Sequence, residues 1–107
     1  MKLHQLQALV GVVDHGSIRA AARALHLTQA ALTKALRQLE EDHGVTLLVR
    51  KASGVQLTEA GQRLHARARL VNRQLELARE ELLQAQGQAG GLVRVGLTPY
   101  LMLGALG

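Results

Sequence analysis

The chain has 107 residues, with thirteen Lys and Arg against eight Asp and Glu, and no cysteine. That length fits one domain with a short annex, burying about 60 to 65% of the surface the unfolded chain exposes. The composition excludes disulfides and thiolate metal sites; with no Phe, no Trp and only Tyr100 it also requires an aliphatic core, which suits packed helices.

The formal charge of +5 is concentrated in the front of the chain. Met1 to Arg73 holds eleven basic and five acidic residues, whereas Gln74 to Gly107 holds two and three. A basic front suggests a polyanion-facing head. "MKLHQLQALV" is interrupted by His4, Gln5 and Gln7 and lacks the apolar run of a signal peptide. Leu92 to Gly107 is rich in Leu, but it contains Arg94 and Pro99 and falls short of the roughly 20 residues a membrane span needs. The expectation is a soluble, cytoplasmic protein with no membrane segment.

In chain order, Leu3, Leu6, Val10 and Val13 predict the apolar stripe of a first helix that Gly16 ends. Ser17 is the predicted N-cap of a second helix, which buries Ile18, Ala21, Ala22 and Leu25 and leaves Arg19 and Arg23 outside. After "HL", Thr28 caps a third. At about 100° per residue, Ala31, Leu32, Ala35, Leu36 and Leu39 fill one arc of this helix. Gln29, Ala30, Thr33, Lys34, Arg37, Glu40 and Glu41 fill the other. Gly44 closes it, and the set reads as a helix-turn-helix.

"VTLLVRKASGVQLT", Val45 to Thr58, predicts a β-hairpin with Gly54 in its turn and Arg50, Lys51 and Ser53 near its tip, in the position of a wing. Thr58 is the third predicted N-cap, with Glu59 placed against the positive end of a helix dipole. Leu64, Ala68, Val71, Leu75, Ala78, Leu82 and Ala85 then form a heptad seam, widened by Leu70 and Leu77. The helix from Glu59 to Gln86 spans roughly 42 Å, too long to be buried on a small head, so self-association is expected. "GQAGG", Gly87 to Gly91, reads as a hinge, and "LVRVGL" behind it as a strand.

The fold class expected is therefore mainly α: a winged helix-turn-helix of three helices and a two-stranded β-hairpin over residues 1–58, then a long linker or dimerisation helix over 59–86. Residues 87–107 are expected to be a hinge and the first residues of a missing domain. His4, His15, His26, His43 and His65 form no i, i+4 pair and no HExxH motif. No catalytic constellation, metal site or cofactor site is expected.

In this frame stand Ala21-Ala22 to Leu25, Thr28-Gln29-Ala30-Ala31-Leu32-Thr33, Leu36, Leu39-Glu40, Gly44, Leu47-Leu48, Arg50 and Leu57-Thr58-Glu59-Ala60-Gly61. Over about residues 2 to 86, their order and spacing resemble the amino-terminal part of the LysR-type transcriptional regulators. The resemblance implies a homodimer through the linker helices, binding to an interrupted dyad in double-stranded promoter DNA, and a tetramer as a possible intact form. It also implies a small-molecule inducer bound only by the missing carboxy-terminal effector domain. Three positions depart from the family pattern: Ala30 replaces the usual proline, Thr33 the usual serine and Lys34 the usual arginine. Ile18 and Leu48 stand at usual aromatic positions.

The DNA-contacting set expected from the residues and the resemblance together is Thr28, Gln29, Ala30, Thr33, Lys34, Arg37, Arg50 and Ser53. Gln29 suits adenine, Ala30 a thymine methyl, Thr33 a base or phosphate, and Lys34 a phosphate. Thr28 marks a helix N-terminus that favours phosphate. From Ser17 to Leu39 there are four basic residues and no acidic one. Arg50 and Ser53 are candidates for minor-groove or backbone contact by the wing, the other reading being an Arg50 bonded to Glu40 or Glu41 within the head. The dimerisation set is Leu64, Val71, Leu75, Ala78 and Leu82, although part of this helix, near Leu64 and Ala68, is expected to pack on the head. An alternative from another class is a protein-interaction module in which the winged head is only a scaffold.

Overall fold

The computed structural model describes residues 1–88. Helices α1 (Leu3–His15), α2 (Ile18–Leu25) and α3 (Gln29–His43) come first. An antiparallel hairpin of β1 (Leu48–Lys51) and β2 (Gly54–Leu57) follows, and then α4 (Glu59–Gln88). This is the expected winged helix-turn-helix with a long trailing helix. α4 runs through Gly87 to Gln88, two residues past the expected end. The rest of the expected hinge and the strand at Leu92 lie outside the described residues.

The chain groups into two compact units, Met1–Asn72 and a second beginning at Arg73. The first, called the head here, includes the opening half of α4: Leu64 packs against its core and Ala68 is fully buried. In the second, Arg73 pairs with Glu76 at 3.4 Å and with Glu80 at 3.9 Å. Such exposed pairs contribute about 0 to 1 kcal/mol.

Side chains define the helix starts. Ser17 Oγ accepts from the Ala20 N–H, Thr28 Oγ1 from Ala31 and Thr58 Oγ1 from Gly61, each at 3.0 Å. Each cap contributes about 1 kcal/mol. α1 and α3 end on left-handed Gly16 and Gly44. α2 ends on His26, the one non-glycine residue with positive φ (58°) among the described residues. The Leu27 N–H closes that turn on the Ala22 carbonyl at 2.9 Å, a Schellman bond. The turn into α3 is therefore built by hydrogen bonding at a residue that ordinarily avoids this conformation.

Ala8, Leu9 and Val12 of α1, Ala21 and Ala22 of α2, and Leu32, Ala35 and Leu36 of α3 make the core. This corrects the reading of α1. Its core face is Gln5, Ala8, Leu9 and Val12, while Leu3 is exposed and Leu6 and Val13 are only half-buried. α1 is apolar on nearly every side, so periodicity alone does not select the face. Val10, of the predicted stripe, is buried, and near the end of α1 Arg69 Nη1 of α4 donates to Asp14 Oδ1 at 2.7 Å. Gln5, though polar, is buried, and its Oε1 accepts from the Lys2 backbone N–H at 2.9 Å. On α3, Leu32, Ala35, Leu36 and Leu39 are buried as expected, but Ala31 is exposed.

The hairpin register pairs Leu48 with Leu57, Arg50 with Val55 and Lys51 with Gly54. The turn is thus Ala52-Ser53, and Gly54 opens β2 instead of lying in the turn. Its φ of +129° and its position explain the glycine, since a Cβ there would stand 2.8 Å from the Gly16 carbonyl oxygen. Leu48, Val55 and Leu57 turn inward onto the core, and Val49 and Gln56 turn out.

Candidate nucleic-acid interface

α3 presents a free polar face because its other face is committed to the core. Gln29, Ala30, Lys34 and Arg37 are exposed and Thr33 is half-buried. Together with Gln38 and Glu41 they line one shallow, open concavity. Five of the eight expected DNA-contacting residues are thereby brought together. Thr28 stands at the helix start, its hydroxyl oxygen engaged with Ala31 N–H. Ser53 stands apart, exposed in the wing's turn.

Of the two settings expected for Arg50, the structure bears on the bond within the head. Its Nη2 donates to Thr33 Oγ1 at 3.4 Å, so the wing reaches the edge of the free polar face of α3. The ion pair with Glu40 or Glu41 does not form. Glu40, placed by its position among the solvated residues of α3, is half-buried, and its Oε2 accepts from the Leu47 N–H at 2.7 Å and the Leu48 N–H at 3.1 Å. A carboxylate fixed on two backbone amides makes charge-assisted bonds roughly twice as strong as neutral ones. Glu40 ties the start of the wing to α3.

Two residues of the concavity were not among the expected contacts, Gln38 and Glu41. The signal was available, for Gln38 lies four residues after Lys34 and Glu41 four after Arg37, the spacing of neighbours on one helix face. Glu41 is acidic and sits at the far end of the face, so the positive character is concentrated in the first three turns of α3.

Of the dimerisation set, Leu64 is occupied by the head's own core. Val71, Ala78 and Leu82 are exposed and Leu75 is half-buried. Leu70, Leu82 and Leu83 are more than 60% exposed, which leaves apolar surface on α4 that the described residues do not cover. No helix among the described residues is long and apolar enough to cross a membrane.

A hairpin wing anchored to a helix whose free face is polar and basic defines a winged helix-turn-helix protein with its third helix available for recognition. The chain belongs to the lysR family of bacterial regulatory helix-turn-helix proteins, whose family model matches residues 3–62. It is similar to the nitrogen assimilation regulatory protein nac of Klebsiella aerogenes, 38% identical over 92% of this chain and 32% of that one. It also resembles a probable hydrogen peroxide-inducible genes activator of Streptomyces viridosporus, 41% identical over 91% of this chain and 31% of that one. The chain spans about a third of the length of these curated relatives.

Among solved structures it resembles that of a CbnR_DBD–DNA complex, with 37% identity and a TM-score of 0.64 over 83% of this chain and 99% of that one. A BenM_DBD/benA site 1 DNA complex is similar too, with 27% identity and a TM-score of 0.70 over 79% of this chain and 99% of that one.

Proposed function

We propose that the chain is the sequence-specific DNA-binding module of a bacterial transcriptional regulator, docking α3 in the major groove of promoter dyad DNA as a dimer. The observation that carries this is the free polar face of α3, with Gln29, Ala30, Thr33, Lys34 and Arg37 gathered in one concavity and no acidic residue from Ser17 to Leu39. Solved relatives in complex with DNA support it. Binding and pairing require no chemistry of the chain, so the role is not enzymatic, and its site is the cytoplasm, where bacterial DNA lies. The inducer and any tetrameric assembly belong to the intact protein.

Fluorescence anisotropy tests the proposal with a duplex selected by the chain from a random-sequence pool. Affinity should fall with salt at a log slope of about −0.9 per phosphate contact and exceed that for unselected duplex. Equal affinity for both duplexes would defeat sequence reading. Gln29→Ala is expected to cost about 1 to 3 kcal/mol at one base position of the site. A loss equal on every sequence would instead assign Gln29 to a phosphate.

The exposed apolar residues of α4 give the interaction reading its support, and pairing with a second copy accommodates them. Leu82→Arg is expected to shift the chain toward monomer in sedimentation velocity and to weaken a dyad far more than a half-site. An unchanged dimer would remove Leu82 from the seam. If the chain serves only to bind another protein, replacing Gln29, Thr33, Lys34 and Arg37 together with alanine would leave all its complexes intact.

A further inference from the structure

A second groove lies beside the reading face, on the edge of α3 opposite the wing. It is an open hollow of about 660 Å³ between the start of α1 and the α2–α3 pair. Lys2, His4 and Lys34 line it with Gln7 and Gln38, over a floor that includes Leu27 and Ala31, and no acidic residue takes part. Lys34 and Gln38 line both this groove and the reading concavity, so they form the ridge between the two. On the other edge of α3, Thr33 meets Arg50 and Glu40 holds the wing. The reading face is thus bracketed by the wing on one side and by a cationic groove on the other.

From this bracket we infer that the groove of Lys2, His4 and Lys34 grips one sugar-phosphate strand of the same duplex, the strand bordering the major groove on the side away from the wing. The inference rests on the proposal that α3 reads DNA. A helix with its side chains is about 10 to 12 Å across, and the major groove is about 12 Å wide. A helix seated there therefore has a phosphate row along each edge. Lys34 and Gln38 face one row, and behind them Lys2 and His4 supply further donors. Leu27, nearly half exposed, and Ala31 give the floor an apolar surface for deoxyribose. This also accounts for Ala31, which is apolar yet not part of the core. The contacts are to backbone alone, so they add affinity and fix the register of docking without carrying base preference.

The test uses the full 107-residue chain, a duplex selected from a random pool, and an unselected duplex. Lys2→Met keeps the aliphatic stem and removes the charge, and His4→Ala removes the imidazole; neither side chain lies in the core, and unchanged thermal midpoints check the fold. Each Lys2→Met half-site should lower the steepness of the log affinity against log salt plot by about 0.9. The loss should be the same factor on both duplexes, with base preference unchanged. Uncharged methylphosphonates placed one at a time along each strand should weaken the unmodified chain at one or two positions on the side away from the wing. At those positions Lys2→Met with His4→Ala should be insensitive.

If the variants keep the full salt slope and the full methylphosphonate response, the groove does not hold the strand. An acidic segment of another protein would then be its better occupant. Failure of the unmodified chain to prefer its selected duplex would instead defeat the DNA-reading proposal itself, so the two failures are distinguishable.

Discussion

Gly61→Ala is expected to destabilise the head by about 2 to 3 kcal/mol, although alanine is the better helix former by roughly 1 kcal/mol. The two effects compete directly. Gly61 lies in the first turn of α4, and a Cβ there would run into the carbonyl oxygen of Leu47. That oxygen is backbone and is held where it is, accepting from the Thr58 N–H at 3.0 Å. The Thr58 hydroxyl, at 2.6 Å from the Thr46 carbonyl oxygen, donates to it while capping α4 at the Gly61 N–H. The added methyl can be relieved only by moving α4 off the wing's base, which breaks the cap as well. The clash therefore outweighs the propensity gain. Urea unfolding should show a lower midpoint with an unchanged slope, whereas Gly87→Ala, where nothing stands within 4 Å, should cost nothing. A midpoint for Gly61→Ala equal to or above that of the unmodified chain would show that α4 tolerates the shift.

The contrast between Gly61 and α3 explains what the sequence could reveal. On α3, charged and aliphatic residues alternate at helical spacing, so burial follows the pattern at Leu32, Ala35, Leu36 and Leu39. Ala31 departs from it because a methyl side chain carries little burial signal, and Glu40 because its carboxylate is drawn onto the amides of Leu47 and Leu48. α1 offers no such contrast: Leu3, Leu6, Ala8, Leu9, Val10, Val12 and Val13 nearly encircle it, and the choice of Leu9 and Val12 over Leu3 and Leu6 is made by the helices that pack against it. The three N-caps and the glycine ends were legible because capping is chemistry between residues three or four apart. The reason for Gly61 was not, since its obstacle, Leu47, lies fourteen residues upstream. The bond between Arg50 and Thr33 spans seventeen. For the site, residue type and face placed Gln29, Ala30, Thr33, Lys34 and Arg37 together, but neither the reach of the wing to Thr33 nor the groove of Lys2 and His4 has a local signature.

Glu40→Ala is expected to cost about 2 to 4 kcal/mol and, at the same time, to loosen the wing from α3. One carboxylate oxygen accepts from two consecutive N–H groups, those of Leu47 and Leu48, at the entry to β1. A hydrogen bond to a charged group contributes about 1.5 to 3 kcal/mol, and a partly buried donor left unpaired adds its own penalty. Leu47 is buried, so water reaches its amide poorly once the carboxylate is gone. Glu40→Gln retains an acceptor oxygen without the charge and should lose about half as much. The consequence for the proposed function separates the wing from α3. With β1 freed at its base, Arg50 is no longer held toward Thr33. Hydroxyl-radical footprints at a temperature where the variant remains folded should lose protection at the flanks of the site, while the central base preference proposed for Gln29 and its neighbours persists. Equal loss at flank and centre would mean that Glu40 supports α3 itself, and unchanged stability would mean that the two amides find water as good a partner as the carboxylate.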